Sequence, residues 1–260
     1  CGGAGEYPSR RMSKYCPILI RGLSRSGGTL MVTILDAHPD IAMSYELYPT
    51  LLAVEDWEPG ERALRRIAVE LRRTKGRRSA LNEMPTRGLR TYLARAERSG
   101  IDHRCFAVLL DQHLDEGLTF DDLNGRMRFI ERCCLYKMRE KGKSRWGLKC
   151  NNRYDEYLSF WPKAYFLNML RDGRDVLSSQ LNTGSFNKSA SEVAESWVQT
   201  HRRFKELRER EDTNAYFVKY EELATHPETE VGRICAFLGL PMVTDMLNFH
   251  RRQLTIYGTS

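Results

Sequence analysis

The sequence predicts a single α/β domain whose central parallel sheet is flanked by helices. Three observations carry that expectation. Short apolar runs at Cys16 to Gly22, Ala164 to Leu170 and Ala215 to Lys219 read as buried strands. Helical segments separate them, and parallel strands need crossovers of that kind. A glycine-rich loop joins the first run to a helical pattern, in the stretch Ile20-Arg21-Gly22-Leu23-Ser24-Arg25-Ser26-Gly27-Gly28-Thr29-Leu30-Met31.

In chain order, residues 1–14 are polar and glycine-rich and read as a tail or tag remnant ahead of a domain at 15–260. After the first strand and the loop, Thr29 to Ala37 carries apolar residues at helical spacing. The stretch from about 55 to 143 is helical and rich in Arg and Glu, with breaks near Gly76, Pro85 and Gly100. Trp146 to Leu148 reads as a short strand. The stronger strand at Ala164 to Leu170 ends at Arg171-Asp172-Gly173, with a helix from about Arg174. Ser189 to Glu211 is a long amphipathic helix, Ala215 to Lys219 a strand, and Glu228 to Leu238 a helix closed by Gly239 and Pro241. The sheet should hold about four or five strands.

With 41% hydrophobic and 29% charged residues, the 260-residue chain has an ordinary globular composition. No apolar run approaches the roughly 20 residues of a membrane span. The net charge of +7 favours anionic ligands, although much of it sits in helical runs such as Arg62 to Arg78, which suit a solvated face. Nothing resembles a zinc-type CxxC pair, an RNP motif or a basic zipper, so no nucleic-acid partner is expected. The seven cysteines are odd in number and irregularly spaced, which points to reduced thiols and a cytoplasmic setting. The chain starts at Cys1, so a Golgi lumen with a trimmed anchor is the alternative.

Gly22, Gly27 and Thr29 fall where a Walker A loop needs glycine, glycine and a hydroxyl, but Gly28 replaces its lysine. Arg25 supplies the positive charge from inside the loop. Gly27 and Gly28 let helix N-terminal N–H groups close on an anion, and Ser26 and Thr29 add hydroxyls. A phosphate or sulfate-like group should bind here. A second constellation, Arg171 with Ser179 eight residues later, lies at a strand's carboxyl end, the edge where α/β sheets bind ligands. Arg171 can pair with a phosphate. A P-loop kinase or nucleotide hydrolase, or a non-catalytic nucleotide-binding relative, stays open as an alternative, but the missing lysine disfavours ATP.

Taken together, the two constellations resemble those of sulfotransferases dependent on 3'-phosphoadenosine 5'-phosphosulfate (PAPS). The resemblance assigns Arg25-Ser26-Gly27-Gly28-Thr29, with Leu30, to the 5'-phosphosulfate and Arg171 and Ser179 to the 3'-phosphate. Val218 to Leu223, His226-Pro227 and Phe237 to Pro241 also resemble the family pattern, so the likeness spans 17 to about 241. The motifs are most similar to tyrosylprotein sulfotransferases, through Leu30-Met31 and Leu35-Asp36-Ala37-His38-Pro39-Asp40. That likeness implies Glu46, 21 residues after Arg25, as catalytic base, and Lys149 before Cys150-Asn151-Asn152 as catalytic lysine. It implies transfer of a sulfonyl group from PAPS to a hydroxyl, or an amine, of the acceptor, with no metal.

The chemistry agrees: a base must take the acceptor proton, and Arg25, Lys149 and the loop N–H groups must stabilise charge on the leaving phosphate. Tyr220 is expected beside the adenine or bracing the 3'-phosphate loop, and His38 is a helix-terminating residue. Where tyrosylprotein sulfotransferases carry arginines just after the glutamate, this chain has Tyr48 and Leu52. The acceptor wall is therefore expected to be less cationic, with Tyr45, Tyr48 and Trp57 facing a small-molecule, carbohydrate or peptide acceptor. The helical stretch from 55 to 143 should build the acceptor pocket and a lid. A homodimer is compatible with the sequence.

Overall fold

The computed structural model describes residues 16–53, 60–150, 153–182 and 188–251, and within them five strands form one parallel sheet. They are β1 (Ile18–Gly22), β2 (Ile41–Ser44), β3 (Arg145–Lys149), β4 (Tyr165–Leu170) and β5 (Asn214–Lys219), in the spatial order β2-β3-β1-β4-β5. The helices are α1 (Gly28–Asp36), α2 (Glu61–Arg73), α3 (Arg77–Asn82), α4 (Arg87–Arg98), α5 (His103–Asp115) and α6 (Leu123–Glu140). They continue as α7 (Tyr154–Phe160), α8 (Gly173–Asn182), α9 (Ala190–Arg208), α10 (Tyr220–Thr225) and α11 (Pro227–Leu238).

Side chains alternate across a strand, so each strand feeds two cores. Ile18, Ile20, Met43, Leu167 and Met169 pack with α1 and α11. Leu19, Ala42, Trp146, Leu148 and Phe166 turn the other way, toward α2, α4, α5, α6, α7 and α9. The helix breaks fall near Gly76, Pro85 and Gly100 as read from the sequence, and α9 opens with a capping box between Ser189 and Glu192. Gly239, with φ 67°, closes α11. Three elements escaped the sequence reading: β2, α7 and α10. β2 has only four residues and starts two residues after Pro39; its identity comes from burial and from pairing with β3.

One polar clamp fixes β2 in place. Lys137 of α6, 3% exposed, donates to the Asp36 carboxylate at 3.1 Å and to the Met43 carbonyl. Asp36 also accepts the Met43 N–H at 2.7 Å. Lys143 donates to the carbonyls of Asp36 at 2.6 Å and Ile41 at 2.7 Å. The end of α1, β2 and the end of α6 are thus tied together, two residues before Glu46. His38 is fully buried; its Nδ1 accepts the Asp40 N–H at 3.0 Å, so Nε2 carries the proton and donates to the Pro241 carbonyl at 3.0 Å. It is a structural residue.

Candidate active site

Because every strand runs the same way, the segments that follow them converge on one edge of the sheet. After β1, the Ser26 N–H donates to the Leu23 carbonyl at 3.1 Å, and the chain turns through left-handed conformations at Arg25 (φ 74°) and Gly27 (φ 88°). α1 then begins at Gly28, leaving first-turn N–H groups without helical partners. Gly27 is required twice. Its φ is left-handed, and a Cβ there would lie 2.4 Å from the Tyr220 ring. Tyr220 therefore packs directly against the loop, and the Arg171 guanidinium lies 4.3 Å from its ring centroid.

The two motifs read separately in the sequence form one patch. Arg171 Nη1 donates to the Arg25 carbonyl at 2.8 Å, and Arg25 Nε donates to Ser179 Oγ at 2.8 Å. Trp197 of α9, which the sequence reading missed, donates Nε1–H to the Arg171 carbonyl at 2.9 Å and packs over Gly173.

Across the cleft stands Glu46, also left-handed at φ 51°. A non-glycine residue held there is strained by about 1–3 kcal/mol and persists only where its surroundings impose it. Here Arg95 of α4 imposes it: Nη1 donates to the Glu46 carbonyl at 3.0 Å, while Nη2 lies 3.1 Å from Oε2. Lys149, at the end of β3, donates to Glu46 Oε1 at 2.7 Å and to Thr29 Oγ1 at 3.1 Å. Carboxylate, lysine and phosphate-type loop are thus joined in one line. A Cβ at Gly28 would come within 3.2 Å of Lys149 Cε, so glycine clears the path along which Lys149 crosses the loop.

Tyr45 and Tyr48 are half-buried beside this line, with Lys149 Nζ 5.2 Å from the Tyr45 ring and Arg95 4.7 Å from the Tyr48 ring. Trp57 lies outside the described residues. The wall beside Tyr48 does carry a cation that the adjacent sequence does not show, because α4 brings Arg95 to Glu46 and Tyr48 from 49 residues away. A cleft of about 500 Å³ runs from Leu30, Gly28 and Arg171 to Glu46 and Arg95. Among the described residues no group of three His, Cys, Asp or Glu side chains gathers to hold a metal.

Burial would raise the Glu46 carboxyl, but Lys149, then Arg95 and the Tyr48 hydroxyl, hold it below its ordinary value of 4.5. Burial, then the charge of Glu46, pushes the Tyr48 phenol up, so it stays a hydrogen-bond donor. Glu46 is therefore ionised throughout the neutral range. Arg95→Met removes a positive charge that holds the Glu46 carboxyl down against burial, so the acid limb of the activity–pH profile should move to higher pH. An unmoved limb would show that Arg95 does not set the charge state of Glu46.

Residues 17–245 match the model of the Sulfotransferase family. A protein-tyrosine sulfotransferase of Drosophila melanogaster is 25% identical over 236 residues, which cover 86% of this chain but only 38% of that protein. A Caenorhabditis briggsae protein, carrying the same name in provisional form, is 25% identical over 249 residues, covering 90% of this chain and 69% of its own length. The sulfotransferase domain of the Synechococcus PCC 7002 olefin synthase has a TM-score of 0.59 at 16% identity, covering 98% of this chain and 84% of that one. The corresponding domain from the curacin biosynthetic pathway gives 0.58 at 16%, covering 94% and 81%. At that identity the two structures speak for the fold alone. The family match runs without a break from the first strand past the last long helix, and the chain belongs to the Sulfotransferase family, related to the protein-tyrosine sulfotransferases.

Proposed function

We propose that this sulfotransferase takes its sulfonyl group from PAPS and passes it to a hydroxyl of a small-molecule, carbohydrate or tyrosine acceptor. The observation that carries the reading is the line Glu46–Lys149–Thr29, which links a carboxylate to the phosphate-type loop. The residues fit such a donor. Gly27 and Gly28 leave the loop N–H groups uncovered, and Arg171 Nε is buried with no hydrogen-bond partner. Arg25, Ser26, Gly27, Gly28, Thr29 and Leu30 would hold the phosphosulfate, Arg171 and Ser179 the 3'-phosphate, with Tyr220 bracing both.

When bound, the donor supplies a sulfonyl group on a phosphate leaving group. Glu46 accepts the proton of the acceptor hydroxyl, as a general base must. Lys149, Arg25 and the loop N–H groups offset the charge that grows on the leaving side. Lys149 touches both partners and couples the two events.

Adenosine 3',5'-bisphosphate, the donor without its sulfonyl group, should raise the melting temperature, whereas MgATP should not. By calorimetry Arg171→Ala should weaken its binding about 10- to 100-fold, since a charge-assisted hydrogen bond contributes about 1.5–3 kcal/mol. Stabilisation by MgATP alone would overturn the donor assignment.

A further inference from the structure

Arg21 lies in β1, in the middle of a sheet covered on both faces, and is 2% exposed. Its Nε and Nη1 are buried without a hydrogen-bond partner. Two rings flank it, with the guanidinium carbon 4.6 Å from the Tyr154 centroid and 5.1 Å from that of Phe204. Cation–π contacts of this kind offset only part of the cost of burying an unpaired ion. Burial accordingly pulls the guanidinium below its ordinary range, and no carboxylate among the described residues pairs with it. Asp155, the acid that most nearly serves, is 76% exposed and bonded to Arg203.

Arg21 also lines a cavity of about 420 Å³ that adjoins the cleft and shares Glu46, Tyr48 and Lys149 with it. Lys188 and Arg203 stand in the same wall. Among the described residues the one carboxylate in that lining, Glu46, is already engaged by Lys149 and Arg95. This buried cation has no counter-charge among the described residues, and it stands in a cationic cavity beside the proposed base, a place suited to an incoming anion.

We propose that Arg21 forms the floor of an anion subsite in the acceptor pocket, taking a carboxylate of the molecule whose hydroxyl is sulfonated. The inference rests on the sulfonyl-transfer reading, with Glu46 beside the acceptor hydroxyl. It narrows the acceptor to a hydroxy compound carrying a carboxylate at its far end. Ser196, Gln199 and Thr200 of α9 line the same cavity and offer neutral hydrogen-bonding groups around that carboxylate.

The test measures binding of 4-hydroxybenzoate, 4-hydroxyphenylacetate and 3-(4-hydroxyphenyl)propionate, each against its primary amide, to the full chain with adenosine 3',5'-bisphosphate. At least one acid should bind 10-fold or more tightly than its amide, and Arg21→Met should abolish that preference. Arg21→Lys, which keeps the charge, should retain part of it. Arg21→Met should also unfold at a higher denaturant concentration than the parent, because it removes an uncompensated buried ion. Equal binding of every acid and amide by the parent protein, or a preference that survives Arg21→Met, would overturn the subsite. Loss of nucleotide binding by the parent would instead strike the donor assignment, so the two failures are distinguishable.

Discussion

Glu46→Ala is expected to lower kcat by about 10²- to 10⁴-fold, the usual contribution of a general base, while adenosine 3',5'-bisphosphate still binds. The nucleotide should stay because the loop, Arg171 and Ser179 do not use the Glu46 side chain. Glu46→Gln tests the charge separately, since it keeps the shape and the contact to Lys149 but cannot accept a proton at neutral pH. Glu46→Gly isolates the backbone: with φ at 51°, glycine relieves the left-handed strain, so this variant should be more stable than Glu46→Ala and equally inactive. Single-turnover rates and denaturation midpoints together decide the matter. Retention of turnover in the glutamine variant would remove Glu46 from the chemistry.

The second large effect concerns stability. Lys137→Met should destabilise the fold by about 3–5 kcal/mol, because it leaves the Asp36 carboxylate poorly accessible and without its ammonium partner. Asp36 keeps the Met43 N–H, but the Met43 carbonyl loses its donor. The double variant Lys137→Met with Asp36→Asn should recover part of the loss, and a double-mutant cycle by urea unfolding measures the coupling. A loss below about 1 kcal/mol, or strict additivity, would show the pair to be incidental. The clamp lies two residues before Glu46, so the single variant should also slow turnover in the fraction that remains folded.

Much of the site was legible because its residues cluster in short motifs at strand ends. Arg25, Arg171 and Ser179 read as phosphate ligands from spacing and residue type, and parallel strands bring such segments to one edge. Glu46 and Lys149 came through family likeness; nothing local marks either as more than a polar residue after a short strand. Arg95 was hidden among Arg87, Arg90 and Arg98 on an arginine-rich helix. What sets it apart is its place beside the buried stripe of Leu89, Tyr92, Leu93 and Ala96. Arg21 did leave a signal, since a lone charge inside the apolar run from Cys16 to Gly22 is unusual for a strand covered on both faces. β2 left almost none, because a four-residue strand is too short to show a period.

The strand order has a consequence for how the protein is made. β1 lies at the centre of the sheet, yet Ile18 pairs with Gly147 on one side and Tyr165 on the other. At the roughly 5–20 residues per second of translation, β1 leaves the ribosome about 7–30 s before β4 exists. Such distant pairings slow folding, because the long chain segment must close before any contact rewards it. During that interval an apolar strand is exposed; Arg21 interrupts it and Arg25 follows it, and both charges discourage pairing with another nascent chain. Fragments released before about residue 165 would carry the glycine-rich loop but neither β4 beside it nor Arg171, and should bind no nucleotide.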